Sequence, residues 1–232
     1  MGRRGMGTES RILSMIILLL LLAILPPLFI AYYVYQKDKY DKEPKSLIIK
    51  SFLFGCLAIL PAIFLENIYD QSLFPNLFLY VFFGIALIEE GVKYFFLKNY
   101  MYKKEEFNEP MDGIVYGVMI SLGFATVENI SYVFKYEEQG LFVAITRMFT
   151  AIPLHAVCGV ILGYFVGLAK FSEDKRPLLY KGLFLAVLIH ALYNYFIFLG
   201  QGFIFSIIVL IVAIYYSKKA IDIHQQDSKT RH

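Results

Sequence analysis

Two adjacent glutamates and a lysine lie inside a long apolar stretch, Ile88-Glu89-Glu90-Gly91-Val92-Lys93. On a helix, Lys93 follows Glu89 by four residues and Glu90 by three, so it faces both carboxylates. Two neighbouring carboxylates in a low dielectric resist ionising together. The chemistry this allows is a carboxylate base held in place by a cation, and the motif alone does not say which glutamate is the base. A competing reading is an ion cluster facing the cytoplasm, with Lys93 snorkelling to the interface. Further along, His155 stands in a second apolar stretch, and His190 with Asn194 in a third, one turn apart on one face. Counted at ~1.5 Å of rise per residue, Glu89, His155 and His190 each come out about 20 Å from a membrane face. Glu128-Asn129 and Arg147 fall nearer the outer face, at similar depths, and are expected to pair across two helices and position them.

A carboxylate base, two imidazoles and an amide suit hydrolysis of an acyl bond by water. A glutamate takes the proton of the attacking water. A histidine and Asn194 donate to the oxyanion, and the other histidine orients the water or protonates the leaving amine. No serine with a paired His and Asp stands out, and the HExxH motif is absent. No cofactor is required by these parts, although Glu89, His155 and His190 could hold Zn²⁺ with an open position. Proton- or ion-coupled transporters place the same residue types in the membrane, so transport is the alternative. No inverted repeat of the kind many carriers carry is visible by eye.

The elements that must position these groups are membrane helices. Hydrophobic residues make up 58% of the 232-residue chain and charged residues 18%, against about 45–50% and about 25% in soluble domains. About 20 apolar residues cross a ~30 Å hydrocarbon layer. Seven candidate spans follow: 12–35, 47–65, 74–97, 113–134, 142–169, 178–199 and a short one at 203–216. The expectation is an all-α polytopic transmembrane bundle of about seven spans forming one membrane-embedded domain over 1–232, with a short N-terminal extension (1–11) and a short tail (218–232). The first span is too long for a signal-peptide core, and Pro26-Pro27 are expected to kink it.

Basic residues set the expected orientation. Lys37, Lys39, Lys42 and Lys45, then Lys98, Lys103 and Lys104, then Lys170, Lys175 and Arg176, then Lys218, Lys219, Lys229 and Arg231 fall on one side of a seven-span chain. Arg3, Arg4, Arg11 and Lys135 fall on the other. The N-terminus is therefore expected outside and the C-terminus in the cytoplasm. The net charge of +3 comes with no basic stripe, so no nucleic-acid partner is expected. Cys56 and Cys158 lie within spans and read as small apolar filler. Gly113, Gly117, Ser121 and Ala125 form one row at spacing four, and His155, Gly159, Gly163 and Gly167 form another. Such rows let two helices pack backbone to backbone. Asp112-Gly113 reads as the cap opening the fourth span. The loops 38–45 and 103–109 are assigned no chemistry.

The motifs together resemble a known family. Ile88–Lys93, then Asp112-Gly113-Ile114-Val115-Tyr116-Gly117, then Gly123-Phe124-Ala125-Thr126-Val127-Glu128-Asn129 closely resemble the PrsW family. His155, the loop 171–175, His190 and the segment 37–44 continue the match in order, over roughly residues 30–218. The resemblance implies a multi-pass protease of the bacterial cell membrane that makes the first, site-1 cut in a single-pass anti-sigma factor anchored in the same bilayer. Release of an extracytoplasmic-function sigma factor follows. The family is distantly similar to the CAAX prenyl endopeptidases, with a Glu-Glu pair, Phe-x-x-x-His and His-x-x-x-Asn. That likeness implies Glu89 as the water-activating base, Glu90 as its partner, and His190–Asn194 as the last motif. The middle motif departs, because Glu128 rather than a histidine follows Phe124 at spacing four, and His155 is expected to supply the imidazole. Lys93 stands in for the arginine usual after the glutamate pair.

Overall fold

The structure is a computed structural model and describes residues 3–136, 139–200 and 202–231. The described residues are helical, joined by short loops. In chain order these are α1 (Arg3–Lys37), α2 (Lys45–Ile68), α3 (Leu77–Leu79), α4 (Leu87–Phe96), α5 (Pro110–Lys135), α6 (Gly140–Phe149), α7 (Ala151–Lys170), α8 (Lys175–Phe198) and α9 (Phe203–Arg231). Six helical stretches are long and apolar enough to cross a membrane, with α6 and α7 counted as one. A further helical run over 77–101 joins α3 and α4. In lipid every backbone N–H and C=O must be satisfied within the segment, which is why the apolar stretches wind into helices.

The run over 77–101 differs from the single α-helix expected at 74–97. Asn76 opens it, its side chain accepting from the N–H of Leu79 at 3.0 Å. Winding then loosens to π over Tyr80–Ala86, returns to α over Leu87–Phe96, and loosens again over Leu97–Met101. Glu89, Glu90 and Lys93 therefore occupy a short α segment between two wider ones, and π turns recur at functional sites. The fifth span also departs from expectation. It breaks at Thr150 (φ −125°, ψ −71°) into α6 and α7. Pro153 lacks an N–H for the carbonyl of Phe149 and would crowd it, so a continuous helix ends there. By contrast α1 runs on through Pro26 and Pro27.

α5 is the central helix. Of its most apolar stretch 83% is buried inside the protein, against 17% for α1, which presents side chains such as Phe29 to lipid. The small-residue rows meet as expected. A methyl group on Gly117 would sit 2.6 Å from the carbonyl of Gly159, so α5 and α7 touch backbone to backbone. Gly55 and Gly123 bring α2 closer still to α5. The α5 cap lies elsewhere than expected. Glu109 is the cap and Pro110 the first helical residue, while Asp112 sits in the first turn. Its Oδ2 accepts from the N–H groups of Asn108 and Glu109, both at 2.8 Å. Pro at this position loses no helical hydrogen bond.

The last helix is longer than the expected span 203–216. At ~1.5 Å per residue, α9 exceeds the ~30 Å apolar layer. Its final turns dock on the loops at one end of the bundle. Ile221, His224 and Ser228 are buried, His224 stacks on Tyr164 with ring centroids 4.2 Å apart, and Ser228 donates to Glu109 at 2.6 Å. Gln225 donates to the carbonyl of Lys37. The end of α1, the start of α5 and the end of α9 thus share one face of the bundle. Arg3 and Arg4 lie outside the residues whose side chains are described. Cys56 and Cys158 are free thiols, each donating to a carbonyl of a neighbouring helix, which agrees with a packing role.

Candidate active site

Five helices bring the polar residues together. Glu89, Glu90 and Lys93 come from α4, Glu128 and Asn129 from α5, Arg147 from α6, His155 from α7, and His190 and Asn194 from α8. Glu89, Glu90, Lys93, His155 and His190 are all buried, and Lys93 is fully enclosed. Snorkelling of Lys93 to the interface is thereby excluded.

The contacts form one chain. Lys93 Nζ lies 2.9 Å from Glu90 Oε1 and 3.3 Å from Glu89 Oε2. It also lies 3.0 Å from His155 Nδ1 and 4.1 Å from the ring centroid of Phe124. An ammonium only donates, so Nδ1 of His155 accepts and its Nε2–H donates to Glu128 Oε2 at 2.8 Å. Arg147 Nη2 reaches the same carboxylate oxygen at 2.8 Å, and its Nε donates to Asn129 Oδ1 at 2.5 Å. The expected pairing of Glu128-Asn129 with Arg147 is therefore present, and it extends inward to His155. On the other side, His190 Nδ1 lies 2.8 Å from Glu90 Oε1. Its Nε2 lies 4.0 Å from Glu89 Oε2, too far for a hydrogen bond and within reach of one bridging water. The two imidazoles meet edge to face, centroids 5.2 Å apart.

One ligand atom from each of Glu89, Glu90, His155 and His190 lies within 4.8 Å of the others. Such a group of two carboxylates and two imidazoles has the nitrogen and oxygen donors that zinc takes. Asn194 sits half-buried one turn beyond His190.

Two features escaped the sequence reading. Glu66, near the end of α2, is half-buried and within electrostatic reach of Glu89, Glu128 and Lys93. The only signal for it was an acid at the end of an apolar run. The loop 38–45 also holds buried acids. Glu43 accepts from the Tyr116 hydroxyl, and its own N–H donates to Asp38 Oδ2 at 3.0 Å. Burial pushes the Asp38 carboxyl up to about 6 and that of Glu43 up to about 7. The sequence showed only a mixed-charge loop, to which no chemistry was assigned.

A buried carboxylate–imidazole cluster inside a bundle of membrane-length helices is an arrangement open to an intramembrane hydrolase and to an ion-coupled carrier alike. The chain belongs to the PrsW family: the family model described as PrsW family intramembrane metalloprotease matches residues 43–217. Curated relatives agree. The chain is 34% identical to Protease PrsW of Shouchella clausii over 210 residues, covering 87% of this chain and 96% of that one. It is 37% identical to Protease PrsW of Oceanobacillus iheyensis, covering 85% and 93%, and 33% identical to that of Bacillus subtilis, covering 83% and 88%. No solved structure matches the chain. The protein is a multi-pass membrane peptidase, and membership of this family decides for proteolysis over transport.

Proposed function

We propose that the protein makes the site-1 cut in a single-pass membrane anti-sigma factor, with Glu89 activating the attacking water. The observation that carries this reading is the convergence of Glu89, Glu90, His155 and His190, from three helices, on one buried spot. Glu90 Oε1 is held by both Lys93 and His190, whereas Glu89 has the looser contact with Lys93. Glu89 is therefore the carboxylate free to take a proton, and Glu90 the anchor that fixes His190. Water between Glu89 Oε2 and His190 Nε2 gives its proton to Glu89 and attacks the peptide carbonyl. Asn194 donates to the oxyanion. Glu89 then returns the proton to the leaving amine. Glu128, with Arg147 and Asn129 behind it, fixes the ring of His155.

The family's description implies a metal. The four-residue group fits one, with Glu89, His155 and His190 as the first candidates to hold it and Glu90 beside them. When bound, such an ion supplies Lewis-acid polarisation of the scissile carbonyl. In the bilayer, the excess of Lys and Arg on one side supports a cytoplasmic C-terminus and an outside N-terminus.

Co-expression with a tagged candidate anti-sigma factor tests the reading. Wild type is expected to yield a shortened, membrane-bound fragment and Glu89→Ala only the intact substrate. Equal cleavage by both proteins would remove Glu89 from the mechanism.

A further inference from the structure

One cation already sits among the candidate metal ligands. Lys93 Nζ is within hydrogen-bond distance of Glu90 Oε1 (2.9 Å), His155 Nδ1 (3.0 Å) and Glu89 Oε2 (3.3 Å). An ammonium has three N–H groups, so these three acceptors use all of them. Glu128 holds the other nitrogen of His155 at 2.8 Å. A histidine bonded through one nitrogen to a carboxylate presents its second nitrogen to a metal. In this chain that second nitrogen is the one Lys93 occupies. His155 therefore has no nitrogen left for an ion while Lys93 is in place. Glu90 Oε1 is committed too, shared between Lys93 and His190, which leaves Glu90 only its buried Oε2 for an ion. An ammonium and a divalent ion among the same ligands would also repel strongly, because the site is buried.

We propose that the Lys93 ammonium and a divalent cation are alternative occupants of the Glu89–Glu90–His155–His190 group, so that an ion binds only when Lys93 withdraws. Lys93 is then the residue that sets metal affinity. It is also what keeps two carboxylates and an imidazole in register when no ion is bound. The proposal rests on reading these four residues as the hydrolytic centre, but its test measures zinc and not cleavage, so either can fail alone.

The test uses full-length protein in detergent micelles, wild type and Lys93→Met, dialysed against graded zinc and assayed for bound metal. Lys93→Met, shown to be helical and monodisperse, is expected to bind one equivalent at least tenfold more tightly than wild type. Equal or weaker binding by that folded variant, or no binding by either protein, overturns the proposal. If Lys93→Met does not fold, the wild type decides. Lys93 is fully enclosed, so reductive methylation is expected to spare it without zinc and to modify it at least tenfold faster with zinc bound. A stoichiometric zinc complex in which Lys93 stays protected overturns the proposal, and so does failure of the wild type to take up zinc.

Discussion

Glu128 Oε2 lies 2.8 Å from Nε2 of His155, so the acid four residues after Phe124 meets an imidazole brought in by a different helix. The ring of Phe124 lies 5.8 Å from the same imidazole. The phenylalanine and the carboxylate thus come from α5 and the imidazole from α7. Glu128→Gln keeps a hydrogen-bond acceptor and removes the charge. Losing such an orienting partner costs about 10–100-fold in activity or metal affinity. A drop in cleavage rate of that size is expected, with substrate binding little changed. A rate within twofold of wild type would make Glu128 a packing residue.

Arg147 faces Glu128 at 2.8 Å with both side chains largely enclosed. Removing one partner of such a pair strands the other charge, at a cost of about 3 kcal/mol. Arg147→Ala is expected to lower thermal stability in detergent accordingly. The double variant Arg147→Ala/Glu128→Gln is expected to recover part of the loss, because the stranded charge is gone. Additive losses would mean that the two residues act independently.

Two glycines near the site separate packing from chemistry. A methyl at Gly159 would meet the carbonyl of Gly117 and Cα of Val118 at 2.9 Å, while one at Gly91 meets nothing within 4 Å. Gly159→Val is expected to destabilise by about 1–3 kcal/mol or more and, by pushing α7 off α5, to misplace His155. Gly91→Ala, beside Glu90, is expected to leave stability unchanged or raise it by about 0.5–1 kcal/mol. Thermal unfolding of both variants checks the pair.

The positions of the buried loop acids predict a pH dependence. Burial raises Asp38 to about 6 and Glu43 to about 7 in the folded protein. Their unfolded values lie near ~4. Between these values the folded state binds more protons than the unfolded one, so stability falls as pH rises. The contribution is complete below pH ~4 and is lost by about pH 7. Tyr116, Asp112, Asp41 and Asp38 face Glu43, while Glu109, Asp41 and Lys42 face Asp38. Protection from hydrogen exchange in 38–45, corrected for the base-catalysed intrinsic rate, is expected to be greater at pH 5 than at pH 8. Glu43→Gln is expected to flatten that difference, and an unchanged pH profile would contradict the assignment.

The sequence made the helices and the site readable for different reasons. Apolar run length marked the spans, because a bilayer demands it. Charges within those runs marked Glu89, Glu90, Lys93, His155 and His190, because lipid tolerates such groups only when they face one another. The rows through Gly117 and Gly159 foretold which helices touch. What stayed hidden was set by neighbours rather than by the local run. The π turns on either side of α4 left no mark in the apolar pattern, the break at Thr150 was marked only by Pro153, and the docking of Ser228 on Glu109 joins residues 119 apart. Glu43 and Asp38 drew no assignment because the sequence could not show the Tyr116 hydroxyl, 73 residues away, meeting Glu43.

The most direct test of the account is cleavage by purified protein in liposomes with a membrane-anchored substrate, comparing wild type with Glu89→Gln, His155→Ala and His190→Ala. Wild type is expected to produce the shortened fragment, and each correctly inserted variant is expected to lose at least 100-fold in rate. Cleavage at the wild-type rate by Glu89→Gln would contradict the claim that this carboxylate activates the water.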